Sequence, residues 1–461
     1  MTRANILLIH SDQHRTDCIG VNGHPLIQTP NLDALAGAGI NFRQAFCPIP
    51  LCTPARASLL TGLWPTQHGS IANAQTEAFQ PLLPGLTTFS QLLQESGYYL
   101  GYVGKWGVDE KRDPTQFGFD DYIPEKAYAL WREQQGLPPV PRKNRWFGEV
   151  DPGITPEQSQ LAWGATQTIR LLEKAKGEDH PFFIRWDPSE PHLPNVVPEP
   201  YASMYPPTQI EPWPSFPDPL EAKPYIQKQQ LRSWGLAGWS WADWAPIVAR
   251  YLGQITLLDH QIGRVLAALA DLGLAEETLV IYSSDHGDLC GAHGMIDKHF
   301  VMYDDVVRVP LLMRWPDKIE PDRCSDAFVC SALDLASTFC EAARLPPPPA
   351  FMGQSLLPLA YGQTGGSRPD IFATYHGSQF GLYSQRMVRD RRWKYIWNAT
   401  AEDELYDLKT DPGELVNLAG RAEFAPQLAR LRGRLLEWLE ATQDRLLNSW
   451  TRQQLAGGDK L

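Results

Sequence analysis

Short runs of apolar residues without a helical period recur along the chain, separated by polar or glycine-containing stretches. Runs of this kind predict buried β-strands. Several of them end in polar groups, and the carboxyl ends of strands are where open α/β sheets bind ligands. We predict these strands at residues 5–10, 98–103, 182–186, 279–282 and 309–315.

Amphipathic stretches lie between these runs and predict helices. The longest covers residues 247–272, where apolar residues return at helical spacing. Another is expected to begin at Thr29, the predicted N-cap, with Pro30 at the first helical position and an end near residue 37. Further helices are predicted from residue 52 and at 87–97, 156–176 and 333–343.

The order of these elements predicts the fold class. Strands that alternate with helices are typical of an α/β domain with a large, mixed, mostly parallel sheet and helices on its faces, here residues 1–365. Short strands at 371–375, 383–389 and 393–397, then a helix at 425–447, predict a small C-terminal antiparallel α+β subdomain at 366–461. Residues 108–155 read as irregular. The Pro- and Trp-rich run at 195–246 is interpreted as an ordered insertion over a pocket, with a structural wrap as the alternative.

Composition narrows the function classes. The 461 residues are 43% hydrophobic and 20% charged, which is typical of a soluble globular protein. A formal net charge of -12 argues against nucleic acid as a partner, and any attraction for an anionic substrate must come from a few local cations or a metal. The seven scattered cysteines suit a reducing compartment. We find no signal segment or bilayer-spanning run, so we expect a cytoplasmic protein without a membrane partner.

Cys52-Thr53-Pro54-Ala55-Arg56 places a thiol at the start of a predicted helix and a guanidinium one turn later. Helix N-termini carry unpaired N–H groups and a partial positive charge, so they suit anionic groups. Pro54 is tolerated in the first turn because an N–H there has no intrahelical partner. These residues predict an anion-handling site around Cys52, and a buried cysteine before an ordinary helix is the alternative.

A second cluster of polar residues follows two of the predicted strands. Asp12 and Gln13 come after the first strand, and Asp285 and His286 after the strand at 279–282. If the two strands are parallel neighbours, these side chains meet at one edge of the sheet. Oxygen ligands favour Ca²⁺, and the imidazole admits Mn²⁺ or Zn²⁺. For each residue alone, a turn-capping role is the alternative.

The run from Cys52 to Gly62 resembles the signature of the type I, formylglycine-dependent sulfatases of the alkaline phosphatase superfamily. This resemblance covers nearly the whole chain and implies an alkaline-phosphatase-like fold. It implies that a separate formylglycine-generating enzyme oxidises Cys52 to an aldehyde, whose hydrate carries the nucleophilic oxygen. A sulfated hemiacetal can then release sulfate by collapsing back to the aldehyde.

The resemblance also implies a metal site. Asp12, Gln13, Asp285 and His286 match the family's calcium ligands, together with an oxygen of the modified Cys52. Many members have Asp at the position of Gln13 and Asn at that of His286. The pairing found here resembles the branch of choline sulfatases and phosphonate monoester hydrolases. It implies one divalent cation, with Ca²⁺ expected and Mn²⁺ as the alternative.

Further matches imply roles around the transferred group. Lys105 resembles the sulfate-clamping lysine, Lys298 the lysine at the leaving oxygen, and His192 the histidine that donates a proton to it. Arg56 is implied to hold the deprotonated diol oxygen. Asn73 matches an asparagine that contacts the transferred group in the choline-sulfatase-like branch.

One position departs from the family pattern. Gly-Lys-Trp is commonly followed by a histidine that deprotonates the diol, and here Gly107 follows. Relatives that cleave phosphonate monoesters also lack that histidine. His68, His299 and His376 are the candidates to replace it; His299 and His376 are also predicted to contact the substrate, with a structural role as the alternative for His376.

The resemblance therefore implies hydrolysis of sulfate monoesters. The same machinery acting on phosphonate monoesters or phosphodiesters is the first alternative, and a non-catalytic binding protein with an unmodified Cys52 is the second. The expected substrate is a small sulfated sugar, aryl or alkyl compound, and the oligomeric state stays open.

Overall fold

The structure is a computed structural model that describes residues 3–76, 79–177, 180–363, 367–377, 379–458 and 460. The strands are, in chain order, Asn5–Ser11 (β1), Ile40–Phe42 (β2), Ala45–Phe46 (β3), Tyr99–Gly104 (β4), Asp121–Pro124 (β5), Glu149–Val150 (β6), Phe182–Asp187 (β7), Val196–Val197 (β8), Thr278–Ser284 (β9), Leu311–Arg314 (β10), Arg323–Ser325 (β11), Val329–Cys330 (β12), Ile371–Gly377 (β13), Tyr383–Arg389 (β14), Trp393–Asn398 (β15) and Glu404–Asp407 (β16).

The α-helices separate and cover these strands. They are Pro30–Gly37 (α1), Cys52–Thr61 (α2), Pro65–His68 (α3), Phe89–Glu95 (α4), Ala127–Gln134 (α5), Gln160–Lys176 (α6), Tyr225–Trp234 (α7), Trp241–Asp271 (α8), Asp304–Val307 (α9), Ser331–Ala342 (α10), Leu357–Ala360 (α11), Ala425–Ala441 (α12) and Ser449–Gly457 (α13). Among the described residues, none of these helices combines the length and apolarity needed to cross a bilayer.

The main sheet has the strand order β11-β2-β10-β9-β1-β7-β4-β5. All neighbouring pairs are parallel except those that β10 forms with β9 and β2. This arrangement confirms the predicted mixed, mostly parallel sheet. In the centre, β1 pairs with β9 from Asn5↔Thr278 to Ser11↔Ser284, so both strands end at the same level.

Helices pack on both faces of this sheet because its central strands are apolar on both sides. Ile6 and Leu8 of β1 belong to the core on the face of α2, α4 and α10, whereas Leu7 and Ile9 belong to the core on the face of α1 and α6. This alternation is the two-residue period of a strand. Burial of each such side chain contributes about 1.5–3 kcal/mol to the stability of the fold. This packing on both faces fixes the positions of the strand ends.

The C-terminal part is a four-stranded antiparallel sheet, β13-β14-β15-β16, with α12 and α13, as predicted. The predicted helix at 425–447 is too long, because α12 ends at Ala441. Asp444, in the turn that follows, forms a buried ion pair with Arg386 of β14 at 2.8 Å. The Asn448 side chain then caps α13, a helix that we did not predict. The proposed domain boundary falls at residues 364–366, outside the described residues, and stays a prediction.

Three further local predictions need correction. Residues 108–155 are not irregular throughout, since they contain β5, an edge strand parallel to β4, and α5. Helix α8 begins at Trp241, before the predicted residue 247, because Ser240 and Asp243 form a capping box and Pro246 interrupts only the first turns. Thr29 lies at the N-cap of α1, but its hydroxyl donates to Asp33 and does not cap the helix.

Candidate active site

Helix α2 presents Cys52 at the bottom of a cavity of about 460 Å³, which we call the reaction cavity; it is lined by Cys52, Lys105, His192, Lys298 and neighbouring residues. Every residue of α2 is buried, and Cys52 is 5% exposed. Gly62 ends the helix in the left-handed region (φ 65°), which glycine adopts without strain. The thiol is therefore held at the start of a buried helix and lines the cavity.

Four potential ligands meet beside Cys52. The ligand atoms of Asp12, Cys52, Asp285 and His286 all lie within 4.8 Å of one another, and all four residues are buried. Asp12 follows β1 and Asp285 follows β9, so the parallel pairing of these strands brings them together. The cysteine contributes its Sγ to this cluster.

The environment of His286 suits ligation. Its Nδ1–H donates to the Gly287 carbonyl at 2.8 Å, which leaves the lone pair of Nε2 directed at Cys52 Sγ, 3.3 Å away. A backbone partner on the distal nitrogen is the usual way in which proteins orient a metal-binding imidazole. Together with two carboxylates, this donor set fits a divalent cation.

Gln13 lies next to this cluster, but its side chain is used elsewhere. Its amide nitrogen donates to Asp288 at 2.8 Å, and its amide oxygen accepts from Lys298 at 2.9 Å. Its assignment as a metal ligand stays a prediction.

Arg56 binds the carboxylates of the cluster rather than residue 52. Its Nε lies 3.1 Å from Asp285 Oδ2 and its Nη2 lies 3.0 Å from Asp12 Oδ2. Its Nη1 donates to Asp187, a residue that we did not predict. Because Arg56 holds one oxygen of each aspartate, the other oxygens, Asp12 Oδ1 and Asp285 Oδ1, face the His286 ring.

Asp187 is the buried counterion behind Arg56. It ends β7 and also accepts hydrogen bonds from Arg185 and from the Tyr102 hydroxyl, the latter at 2.9 Å. Burial acts to raise the pKa of Asp187, but Arg185 and Arg56 hold it well below its usual range. Its place at a strand end was the signal that could have identified it.

Lys105 and Lys298 approach the cavity from two sides. Lys105 Nζ lies 2.6 Å from Asp12 Oδ2 and is 22% exposed. Lys298 Nζ contacts His192 Nε2 at 2.7 Å and Asp297 Oδ1 at 3.2 Å. Burial and Asp12 act to raise the pKa of the Cys52 thiol, yet the ammonium groups of Lys105 and Lys298 act to hold it well below its usual range. The site therefore stabilises negative charge at residue 52.

Comparison with known proteins agrees with this arrangement. The family model described as "Sulfatase" matches residues 4–345, and the model described as "N-sulphoglucosamine sulphohydrolase, C-terminal" matches residues 291–441. The chain belongs to the sulfatase family. Its family and its relatives named as sulfatases make it a sulfuric ester hydrolase.

Two of these relatives match this sulfatase over nearly its whole length. It is 28% identical to an arylsulfatase of Clostridium perfringens, over 96% of this chain and 95% of the relative. It is 29% identical to an N-acetylglucosamine-6-O-sulfatase of Bacteroides thetaiotaomicron, over 96% of this chain and 86% of the relative. Among solved structures, the phosphonate monoester hydrolase of Agrobacterium radiobacter has a TM-score of 0.84 and 28% identity, covering 96% of this chain and 97% of that one.

Gly107 occupies the position at which the family commonly has a histidine, and its backbone conformation favours glycine. Its φ of 62° is in the left-handed region, and a Cβ there would come within 3.2 Å of Arg56 Cδ. A larger residue would be strained and would press on Arg56.

The three histidines considered as replacements lie in different surroundings. His68 is buried and bonded to Ser58 Oγ at 3.0 Å, and burial lowers its pKa to about 3. His376 is buried on β13, with Nδ1 3.0 Å from Ser384 Oγ, and lies outside the lining of the reaction cavity. His299 does line it, but its Nε2–H donates to Asp297 at 3.0 Å and its Nδ1 accepts from Tyr375 at 3.2 Å. None of the three has both a free nitrogen and a place in the cavity.

Asn73 lines the reaction cavity. Its amide oxygen accepts from the Thr53 N–H at 3.2 Å, which leaves its amide nitrogen for a ligand. The residue joins the loop after α3 to the first turn of α2. Its contact with substrate stays a prediction.

Proposed function

We propose that this sulfatase hydrolyses sulfate monoesters to inorganic sulfate and an alcohol, with residue 52 as nucleophile after oxidation of Cys52 to formylglycine by a separate enzyme. One relationship carries the proposal. Cys52 Sγ lies 3.6 Å from Asp12 Oδ1 and 3.3 Å from His286 Nε2 at the bottom of the reaction cavity. An oxygen in the same position can face both an ion and a substrate.

One divalent cation is proposed among Asp12, Asp285, His286 and residue 52, with Gln13 as a further ligand. The carboxylates support Ca²⁺, and the imidazole supports Mn²⁺ as the alternative. When bound, such a cation supplies the charge that stabilises an ionised oxygen at residue 52.

The chain's own residues then have separate tasks. Lys105 binds the sulfuryl oxygens, because its ammonium group is partly exposed to the cavity next to residue 52. Arg56 fixes Asp12 and Asp285. Lys298 supplies a proton to the leaving oxygen, on which negative charge grows in the transition state, and His192 orients Lys298.

Hydrolysis of phosphonate monoesters or phosphodiesters is the second candidate. Two observations favour it: Gly107 replaces the family histidine, and the phosphonate monoester hydrolase of Agrobacterium radiobacter has the same fold over nearly the whole chain. Sulfuryl and phosphoryl groups are both tetrahedral, so the same cations can serve either one.

The test combines two measurements on protein co-expressed with the maturing enzyme. Mass spectrometry of the peptide around Cys52 should show formylglycine, and an aryl sulfate should be hydrolysed faster than the matched aryl phosphonate monoester. Faster cleavage of the phosphonate would establish the second candidate. An intact thiol together with no turnover of either ester would favour a binding protein.

A further inference from the structure

The ammonium group of Lys298 has fewer hydrogen-bond acceptors than protons. Its Nζ donates to Gln13 Oε1 at 2.9 Å and to His192 Nε2 at 2.7 Å. Asp297 Oδ1 lies 3.2 Å from Nζ, but this buried oxygen accepts no hydrogen bond from any described residue, so it balances the charge only. An ammonium group has three N–H donors. Two acceptors fix its rotation, and the third N–H is left over on a side chain that lines the reaction cavity.

The backbone of Gln13 is fixed by its surroundings. Its φ of 66° is left-handed, and a residue with a side chain keeps such a conformation only where neighbouring groups sustain it. The Gln13 N–H donates to Asp285 Oδ1 at 3.1 Å, and its carbonyl accepts from the Tyr251 hydroxyl at 2.8 Å. The side chain therefore starts from a fixed point. Which end of its amide faces Lys298 is decided by the partner at the other end.

That partner is Asp288, a buried carboxylate. Its Oδ2 accepts from Gln13 Nε2 at 2.8 Å, and its Oδ1 accepts from the Cys290 N–H at 2.9 Å. A carboxylate can only accept hydrogen bonds, and an ammonium group can only donate them. The Gln13 amide lies between the two and satisfies both in one orientation, with its NH₂ group toward Asp288 and its oxygen toward Lys298. The reverse orientation would place donor against donor and acceptor against acceptor.

We propose that Asp288 is a positioning residue for the reaction: it fixes the Gln13 amide with its oxygen toward Lys298, which leaves one N–H of Lys298 for the leaving oxygen of the substrate. Asp288 is not among the described residues that line the reaction cavity, so it acts through Gln13. The inference rests on the proposed sulfate-ester hydrolysis with Lys298 as proton donor.

Asp288→Asn tests the inference because the new side chain has the same size. The Cys290 N–H retains the amide oxygen of that side chain, so its NH₂ group faces Gln13 and turns the Gln13 amide around. Lys298 then loses an acceptor and meets a donor. The readout is the leaving-group ratio, defined as kcat/KM for 4-methoxyphenyl sulfate divided by kcat/KM for 4-nitrophenyl sulfate, whose leaving group needs no proton. This ratio should fall about 10–100-fold, the usual effect of losing one hydrogen bond to a charged group.

A second substitution separates positioning from a structural role. Gln13→Glu alone places two carboxylates face to face. Gln13→Glu combined with Asp288→Asn exchanges the amide and the carboxylate, and so restores an acceptor at Lys298. The leaving-group ratio of the combined variant should exceed that of either single variant. The comparison with Gln13→Glu stands even where Asp288→Asn alone fails to fold.

Asp259→Asn is the matched control. Asp259 is a buried carboxylate of α8 that accepts hydrogen bonds from Asn31 and from the Leu32 N–H, far from the reaction cavity lining. Its replacement should lower stability and keep the leaving-group ratio. Equal losses for both esters in Asp288→Asn, or a combined variant with a ratio no higher than that of Gln13→Glu, would overturn the inference.

Wild-type turnover of 4-nitrophenyl sulfate separates the two levels of the argument. If the matured protein does not hydrolyse this ester, the proposed function fails. The same pair of leaving groups made as phosphonate monoesters then tests Asp288.

Discussion

Lys298 Nζ lies 2.7 Å from His192 Nε2, and the lysine is the donor of this hydrogen bond. The direction follows from the other ring nitrogen, because the Nδ1–H of His192 donates to the Leu193 carbonyl at 2.6 Å. In this arrangement His192 Nε2 accepts from Lys298. The contact supports the proposal that Lys298 protonates the leaving oxygen, and the expectation that His192 donates directly stays a prediction.

Replacing Lys298 should reveal this role. Lys298→Ala should lower kcat/KM about 10²–10⁴-fold for esters of weakly acidic alcohols, the usual range for general acid catalysis. The loss should be much smaller for 4-nitrophenyl sulfate, since its leaving group needs no proton. A leaving-group series provides the measurement. Equal losses across the series would remove Lys298 from the leaving oxygen.

Cys52→Ala should abolish turnover, by at least about 10⁴-fold, because residue 52 is the proposed nucleophile. The fold should persist, since the change removes a single buried sulfur. Cys324→Ala is the matched control, because Cys324 is exposed and should leave the rate unchanged. Sulfate release and the thermal midpoint are measured together. Turnover by Cys52→Ala near the wild-type rate would contradict the proposed nucleophile.

Asp187→Asn should destabilise the protein, because it leaves Arg56 and Arg185 buried with one counterion fewer. Loss of one partner of a buried ion pair costs about 3–5 kcal/mol. The pKa of Asp187 is depressed in the folded state, by Arg185 and Arg56 acting against burial. Its stabilising contribution is therefore complete above the pKa of the unfolded state, about 3.9, and is lost as the pH falls below it.

Urea unfolding of wild type and Asp187→Asn across this pH range tests the predicted direction of the pH dependence. The difference in the free energy of unfolding should be largest near neutral pH and should shrink as the pH falls below about 4. A difference that grows in acid would show that the carboxyl group is protonated in the native protein.

Ca²⁺ should raise the thermal midpoint of chelator-treated protein. An ion that binds only the folded state adds about 2.7 kcal/mol of stability at a hundredfold excess over its Kd. Asp12→Asn should remove most of this effect, since Asp12 Oδ1 faces His286 and Cys52. A larger shift with Mn²⁺ than with Ca²⁺ would assign Mn²⁺ as the preferred ion. No shift with either ion would contradict the metal site.

Gly107→His, which restores the common family residue, should harm the protein. The backbone at Gly107 is left-handed and Arg56 lies against the position of its missing Cβ. A strained residue of this kind costs about 1–3 kcal/mol. Gly107→Ala separates the backbone strain from the added imidazole. Urea unfolding measures the loss of stability in both variants, and sulfate release measures the loss of activity. A Gly107→His enzyme that is more active than wild type would overturn the explanation that the backbone requires glycine here.

The sequence predicted those parts of the molecule that depend on local patterns. The apolar runs marked the central strands, and Asp12 and Asp285 at their ends marked the common edge of the sheet. Arg56 was placed in the site by its spacing from Cys52, but the direction of its guanidinium depends on Asp187, which lies far away in the sequence. Strand β5 and helix α13 were missed because tertiary contacts, such as the pairing of β5 with β4, stabilise them more than any periodic pattern of their own.

Ser11 at the end of β1 pairs with Ser284 at the end of β9, so the positions of Asp12 and Asp285 depend on the lengths of these two strands. Successive side chains of a strand point to opposite sides, so deleting one residue from β1 would turn Asp12 away from Asp285. Short deletions in β1 or β9 should therefore inactivate the enzyme even where the apolar core tolerates them. Engineering by insertion or circular permutation should be directed to loops at the opposite edge of the sheet.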